Sequence, residues 1–303
     1  MISVKNLTKQ YDNFTAIENI SFELTSGTTM ALLGPNGAGK TTIMKCLMGV
    51  IPFEGQVQIL GLNSSKDGKA VRRKVGYLPQ HNSLYESMSV MKNMKHWADI
   101  RGVSGKSVED ALEIAGLDAY GDFSVRKLSA GMKQRAMFAA SLIGSPEVLL
   151  LDEPTSNLDV KWRVEFRKIL ESLKKDKVII IASHMLKETQ ELCDNVLILD
   201  QGKEVSKGEV DALIQQLGLP DHLYICVDAS IAEKISKFLQ SIGYPSSVRE
   251  KWIMLSCKRD EKLSLLNTLE EVGYHIIDFR VEQPTLEDIF LKVTSKGIGI
   301  SAS

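Results

Sequence analysis

Apolar residues gather along this chain in short runs of strand length that alternate with stretches of helical spacing. Met30-Ala31-Leu32-Leu33, Val148-Leu149-Leu150-Leu151 and Val178-Ile179-Ile180-Ile181-Ala182 are unbroken, the pattern of strands covered on both faces. Ile2-Ser3-Val4 and Ile20-Ser21-Phe22-Glu23-Leu24 alternate instead, which predicts half-buried strands near a sheet edge. From about Ser87 to Ser145 the period becomes helical. Met88, Met91 and Met94 stand three apart, and Val108, Ala111, Leu112 and Ala115 share one face. The pattern predicts a single α/β unit over residues 1–216 with a helical subdomain inserted at about 87–145.

Leu217-Gly218-Leu219-Pro220 interrupts this rhythm, and a second one begins. Strand Leu223–Val227, helix Ile231–Ile242, strands Ser246–Arg249 and Trp252–Cys257, helix Lys262–Val272 and strand His275–Val281 give the order βαββαβ. That order is the ferredoxin-like split motif, so a small α+β accessory domain is expected over residues 221–296. Pro284 permits a new start, Thr285 caps a last helix with Glu287 and Asp288 in its first turn, and Leu286, Ile289, Phe290 and Val293 line one side. This helix is expected to end near Lys296, and the Gly- and Ser-rich residues 297–303 to fray.

The strand at Met30–Leu33 leads into Gly34-Pro35-Asn36-Gly37-Ala38-Gly39-Lys40-Thr41, and Thr42–Met48 reads as a helix after it. Strand, glycine-rich turn and helix together make a phosphate cradle: glycines let successive N–H groups converge on an anion, and the helix N-terminus adds partial positive charge. Lys40 then reaches the β- and γ-phosphates, and Thr41 offers its hydroxyl to Mg²⁺. The strand Val148–Leu151 ends in Asp152-Glu153. Beside a phosphate loop, Asp152 is expected to hold Mg²⁺ and Glu153 to position or deprotonate the attacking water. The motif implies ATP or GTP.

Composition narrows the class. With 44% hydrophobic and 25% charged residues, the 303-residue chain is long enough for two globular domains, and a net charge of -1 argues against nucleic acid as a partner. No apolar run approaches the ~20 residues of a membrane span. Met1-Ile2-Ser3-Val4-Lys5-Asn6-Leu7 lacks the basic start and apolar stretch of a secretory signal, which leads to the expectation of a cytoplasmic protein. Cys46, Cys193, Cys226 and Cys257 show no zinc or redox spacing and read as reduced, structural residues.

Leu128-Ser129-Ala130-Gly131-Met132-Lys133-Gln134, taken with the phosphate loop and Asp152-Glu153, resembles the signature of the ATP-binding subunit of an ABC transporter, and the likeness covers nearly all of residues 1–216. The resemblance implies a P-loop NTPase core of ABC type, with ATP and Mg²⁺ as ligands. Gly34, Pro35, Asn36, Gly37, Ala38, Gly39, Lys40, Thr41 and Thr42 would contact the nucleotide, with Tyr11 stacked on adenine. Gln80, in Tyr77-Leu78-Pro79-Gln80, would contact Mg²⁺ or water and sense a membrane partner. Ser129 and Gly131 would clasp the γ-phosphate of an opposite subunit, Asp159 would lie in the loop crossing that interface, and His184 would touch the γ-phosphate. Tyr11 also fits an ordinary surface aromatic, and His184 a polar group at a strand end. The implied partners are a second ATPase subunit, read as a second copy of the chain, and an integral membrane permease that would hold the pair at the inner face of the membrane.

The signature departs from its common form, Leu-Ser-Gly-Gly-Gln, at two places. Ala130 requires ordinary backbone angles where a glycine usually stands, and Met132 cannot donate the hydrogen bond of a glutamine. The stripe Met88, Met91 and Met94 with His96 nearby could suit a soft metal, but core or partner packing is the preferred reading. Pro284-Thr285-Leu286-Glu287-Asp288-Ile289-Phe290-Leu291 resembles the tail of ATPases serving ABC-2-type exporters; those assisting maturation of copper enzymes such as nitrous oxide reductase are one subfamily this leaves open, which the sequence does not establish. Two alternatives stay open: a soluble ABC-type ATPase acting on ribosomes or DNA, and an accessory domain that senses a small ligand rather than docking a partner.

Overall fold

The continuous apolar runs become the interior of a six-stranded sheet in the computed structural model, which describes residues 1–295. Strands β1 (Ile2–Tyr11), β2 (Phe14–Leu24) and β3 (Thr29–Leu33) open the chain, and helix α1 (Lys40–Leu47) follows the phosphate loop. β4 (Glu54–Ile59), β5 (Leu62–Asn63), α2 (Gly68–Lys74) and β6 (Val75–Leu78) lead to the helical insertion: α3 (Val90–Arg101), α4 (Lys106–Ile114) and α5 (Ala130–Leu142). Then come β7 (Val148–Asp152), α6 (Val160–Lys174), β8 (Val178–Ser183), α7 (Leu186–Gln190), β9 (Asn195–Asp200), β10 (Lys203–Glu209) and α8 (Val210–Gln216).

The central sheet has the order β10-β9-β3-β8-β7-β6, parallel throughout except for β10. Every residue of β3, β7 and β8 is buried, as strands with both faces covered demand. Alternate residues of these strands serve two cores: Leu150 and Ile180 face the one that holds α1, Leu149 and Ile181 the one that holds the helical insertion. A second, antiparallel sheet runs β2-β1-β4-β5. Its first two strands are far longer than the sequence pattern foretold. Asn6 and Asn19 take positive φ at register shifts and break the alternation that would have revealed the full length.

The Met88–Met94 stripe is not one helical face. Ser89 caps α3, so Met88 precedes the helix, Met91 is half-buried, and Met94 sits fully in the core. The final tail at 297–303, and the expected helix end at Lys296, lie outside the described residues.

The chain divides into two compact units, with the boundary between Val210 and Asp211 rather than at the 216 expected, so α8 groups with the second unit. That unit continues with β11 (Asp221–Cys226), α9 (Ala232–Ser241), β12 (Ser246–Arg249), β13 (Trp252–Cys257), α10 (Lys262–Glu271), β14 (Asp278–Glu282) and α11 (Leu286–Ser295). Its antiparallel sheet has the order β12-β13-β11-β14, the strand arrangement of the ferredoxin-like motif. Leu223, Ile225, Ile235, Leu239, Leu265 and Leu269 form its core. The last strand begins at Asp278 and not at His275. β11 ends at Cys226, whose ladder partner is Asp278; Ile277 N–H still donates to Cys226 O at 2.9 Å, and the ladder goes no further toward His275.

Candidate active site

A cleft of about 350 Å³ opens over the phosphate loop. Asn36, Gly37, Ala38, Gly39, Lys40, Thr41 and Thr42 line one part of it, Tyr11, Phe14 and Ala16 another, and Gln80, Asp152 and Glu153 the remainder. Gly34 and Pro35 do not line the cleft but supply carbonyls to Lys40 Nζ, at 2.6 and 3.1 Å. Helix α1 starts two residues before the sequence suggested, because Gly39, with φ of 102°, acts as its N-cap. Lys40 and Thr41 therefore belong to the first turn, where backbone N–H groups lack helical partners and the helix dipole is positive.

The loop is fixed to the neighbouring strand by backbone contact. A Cβ on Gly39 would lie 2.5 Å from Ile17 Cγ2 and 2.8 Å from Ala16 O, and one on Gly202 2.6 Å from the same Ala16 carbonyl. Glu18 N–H donates to Gly202 O at 2.8 Å. Only glycine at 39 and 202 permits this approach. A Cβ on Gly37, by contrast, would meet nothing within 4 Å, so that part of the loop faces open space.

Adjacent parallel strands deliver the acidic end of the site. β7 carries Asp152 at its C-terminal end with Glu153 next, and β8 ends at Ser183 with His184 beyond it. Thr41 Oγ1 donates to Asp152 Oδ2 at 2.7 Å, joining α1 to β7 across the cleft. Burial is the main reason the Asp152 carboxyl is pushed above the ordinary aspartate value; the Thr41 hydrogen bond opposes it and Glu153 adds to it. Burial likewise lowers the Lys40 ammonium, and Glu153 and Asp152 pull it back up.

Glu153 is itself buried, with φ of 51°, a costly conformation for a residue with a Cβ. His184 Nδ1–H donates to Glu153 Oε1 at 2.8 Å, which places the ring proton on Nδ1 when the carboxylate is ionised. Ser183 Oγ–H points at Glu153 Oε2 from 3.5 Å. Glu153 and His184, 31 residues apart in the chain, thus share one corner of the site.

Residues 17–156 match the ABC transporter family. The chain is 30% identical to the linearmycin resistance ATP-binding protein LnrL of Bacillus subtilis, over 98% of this chain and 99% of that protein. The chain belongs to the ABC transporter family. It is similar at 30% identity to the Nod factor export ATP-binding protein I of Sinorhizobium fredii, over 97% of this chain and 86% of the relative. A solved ATP-binding subunit of an ABC transporter superimposes with a TM-score of 0.68 at 28% identity, covering 72% of this chain and 94% of its own. The chain is thus an ABC ATP-binding subunit and an ATPase. Among the described residues no helix is long and apolar enough to cross a membrane.

In this ABC subunit the signature residues stand apart from the cleft. Ser129 is the N-cap of α5, its Oγ accepting from Met132 N–H at 3.2 Å, and Ala130 is the first helical residue, with the ordinary backbone angles its methyl group requires. Gly131 lies against the 153–159 turn, where a Cβ would come within 3.0 Å of Asn157 O. Asp159 caps α6 by accepting from Trp162 N–H at 2.8 Å. None of Ser129, Gly131 and Asp159 is among the residues lining the cleft. Phe14 and Ala16 were not foreseen there. The hairpin signal Asp12-Asn13 pairs Phe14 with Tyr11 across the β1–β2 turn and could have found it.

Proposed function

We propose that two copies of this chain bind two ATP molecules between them and drive a separate integral membrane permease, in the direction of export. The observation that carries the reading is the split of the site. Lys40, Thr41, Asp152, Glu153 and Gln80 surround one cleft, while Ser129, Gly131 and Asp159 lie outside it; in this reading they serve the cleft of a second copy. Export follows the relatives named for Nod factor export.

In this reading Tyr11 and Phe14 cover the base, and the loop from Gly34 to Thr42 holds the phosphates through its N–H groups. Lys40, already buried beside Asp152 and Glu153, binds the β- and γ-phosphates and orients the terminal group for in-line attack. Glu153 takes the proton of the attacking water, and His184 holds the carboxylate that does so. Ser129 and Gly131 of one copy contact the γ-phosphate held by the other, and Asp159 crosses the seam. The oxygen donors Thr41 Oγ and Asp152 Oδ2, 2.7 Å apart with Gln80 in the same cleft, fit a hard divalent cation, and Mg²⁺ held there would neutralise charge on the phosphates. Through its permease the chain is peripheral to the membrane's inner face.

A Glu153→Gln variant tests this. It removes the proton acceptor and keeps the shape, so ATP hydrolysis is expected to fall by about 10²- to 10⁴-fold while ATP binding persists. Size-exclusion chromatography with ATP should then show an accumulated dimer. Full hydrolysis, or a chain that stays monomeric at saturating ATP, refutes the proposal.

A further inference from the structure

The strained backbone of Glu153 needs support, and part of it comes from the helix that begins at the signature. Gln134, one turn into α5, is buried and points its amide at the main chain rather than at solvent. Its Nε2 donates to Glu153 O at 3.2 Å and to Pro154 O at 3.1 Å, one hydrogen for each carbonyl. Ser156 adds its N–H at 3.2 Å and its Oγ at 2.8 Å to the same Glu153 oxygen. Three residues before Gln134, Gly131 packs on Asn157 O.

From these contacts we infer that Gln134 is a positioning residue for hydrolysis: it fastens the signature helix to the Glu153-Pro154 backbone and so holds the Glu153 carboxylate where water is activated. The inference rests on the catalytic role proposed for Glu153. The left-handed conformation at that residue is unfavourable by itself and persists only where its surroundings impose it. Gln134 is one of the few groups that impose it from another element. Its effect is confined to the step that uses the carboxylate, since it touches neither the phosphate loop nor the residues around the base. The same helix presents Ser129, so the signature and Glu153 are linked through one buried amide; losing that donor takes a hydrogen bond from the Pro154 carbonyl and leaves Glu153 O with the two bonds from Ser156.

The test uses the full chain and a Gln134→Met variant, which keeps volume and removes the donor. Expected is a fall in kcat for ATP of about tenfold or more, with KM within about twofold and the melting temperature within a few degrees of wild type, because misplacing a reacting group costs turnover and not ground-state binding. An unchanged kcat overturns the inference. So does a loss in which kcat, KM and melting temperature all deteriorate together, the mark of a merely structural residue. Should Gln134→Met not fold, Ser156→Ala decides: it removes a second donor to the same carbonyl from a half-buried position, and a kcat lower by about threefold at constant KM supports the inference, whereas wild-type turnover overturns it. A wild-type chain that hydrolyses no ATP would remove the functional reading itself and this inference with it.

Discussion

Asp152 sits in the cleft at a thermodynamic disadvantage. Burial raises its carboxyl above the ordinary value, so the folded state holds that proton more tightly than the unfolded chain. The stability this group contributes is therefore full below the unfolded aspartate value and is lost as pH rises through the folded one. Asp152→Asn, which can still accept from Thr41, is expected to stabilise the nucleotide-free chain at pH 7 by about 0.5–2 kcal/mol, the usual gain from relieving a functional compromise. Urea unfolding at pH 7 and near pH 3.5 checks the sign: the advantage should shrink at the lower pH, where both side chains are neutral. The same variant should lose hydrolysis. At this scale the phosphate loop was legible because its strand, turn and helix are contiguous and each residue type has a local reason. Gln134 was not. An amide in a helix reads as surface, and only the packing of α5 on the Glu153 turn makes it buried. Phe14 and Ala16 likewise belong to no motif and enter the site through strand pairing.

The ends of elements carry a different kind of information. Asp159 accepts from Trp162 N–H and opens α6, and Ser129 does the same for α5, so both are helix caps whatever else they do. Asp159→Ala is expected to cost about 1 kcal/mol in chemical denaturation, while Asp159→Asn should stay within a few tenths because it also caps well. If Asp159 also serves the seam between copies, the Asn variant will separate the two roles, with stability retained and ATP turnover reduced. Element type was legible wherever the apolar period was long, as in β7, β8 and the helices of the insertion. Element length was less so. β1 and β2 hide most of their extent behind bulges at Asn6 and Asn19, and β14 starts where its partner strand, not its own sequence, allows. The Met88–Met94 spacing suggested one face, but the cap at Ser89 sets Met88 outside the helix.

The molecule as a whole is two units with separate cores. Residues 1–210 contain both clusters that flank the central sheet, and the ferredoxin-like unit has its own. A chain ending at 210 is therefore expected to unfold cooperatively and to bind ATP within about threefold of the full-length affinity, which calorimetry would measure. Loss of folding in that fragment would contradict the division. With permease present, the full chain is expected in the membrane fraction and to stay there in high salt. Salt-sensitive sedimentation with ribosomes would point to the soluble alternative instead. The second unit's strand order was readable from the alternation of its elements alone, because βαββαβ admits few right-handed closures. Its task was not, since a task depends on what it touches.

The meeting of Gly39, Gly202 and Ala16 sets a length. The β2 strand that carries Phe14 and Ala16 and the turn before α1 are joined there by the close approach of Gly39 and Gly202 to the Ala16 main chain, with the Ile17 Cγ2 methyl as the side-chain atom at the contact. The interval between the aromatic hairpin and the anion cradle is thus a ruler cut into the backbone. Mutation can soften either end of it, but to lengthen the gauge the chain would have to be rebuilt.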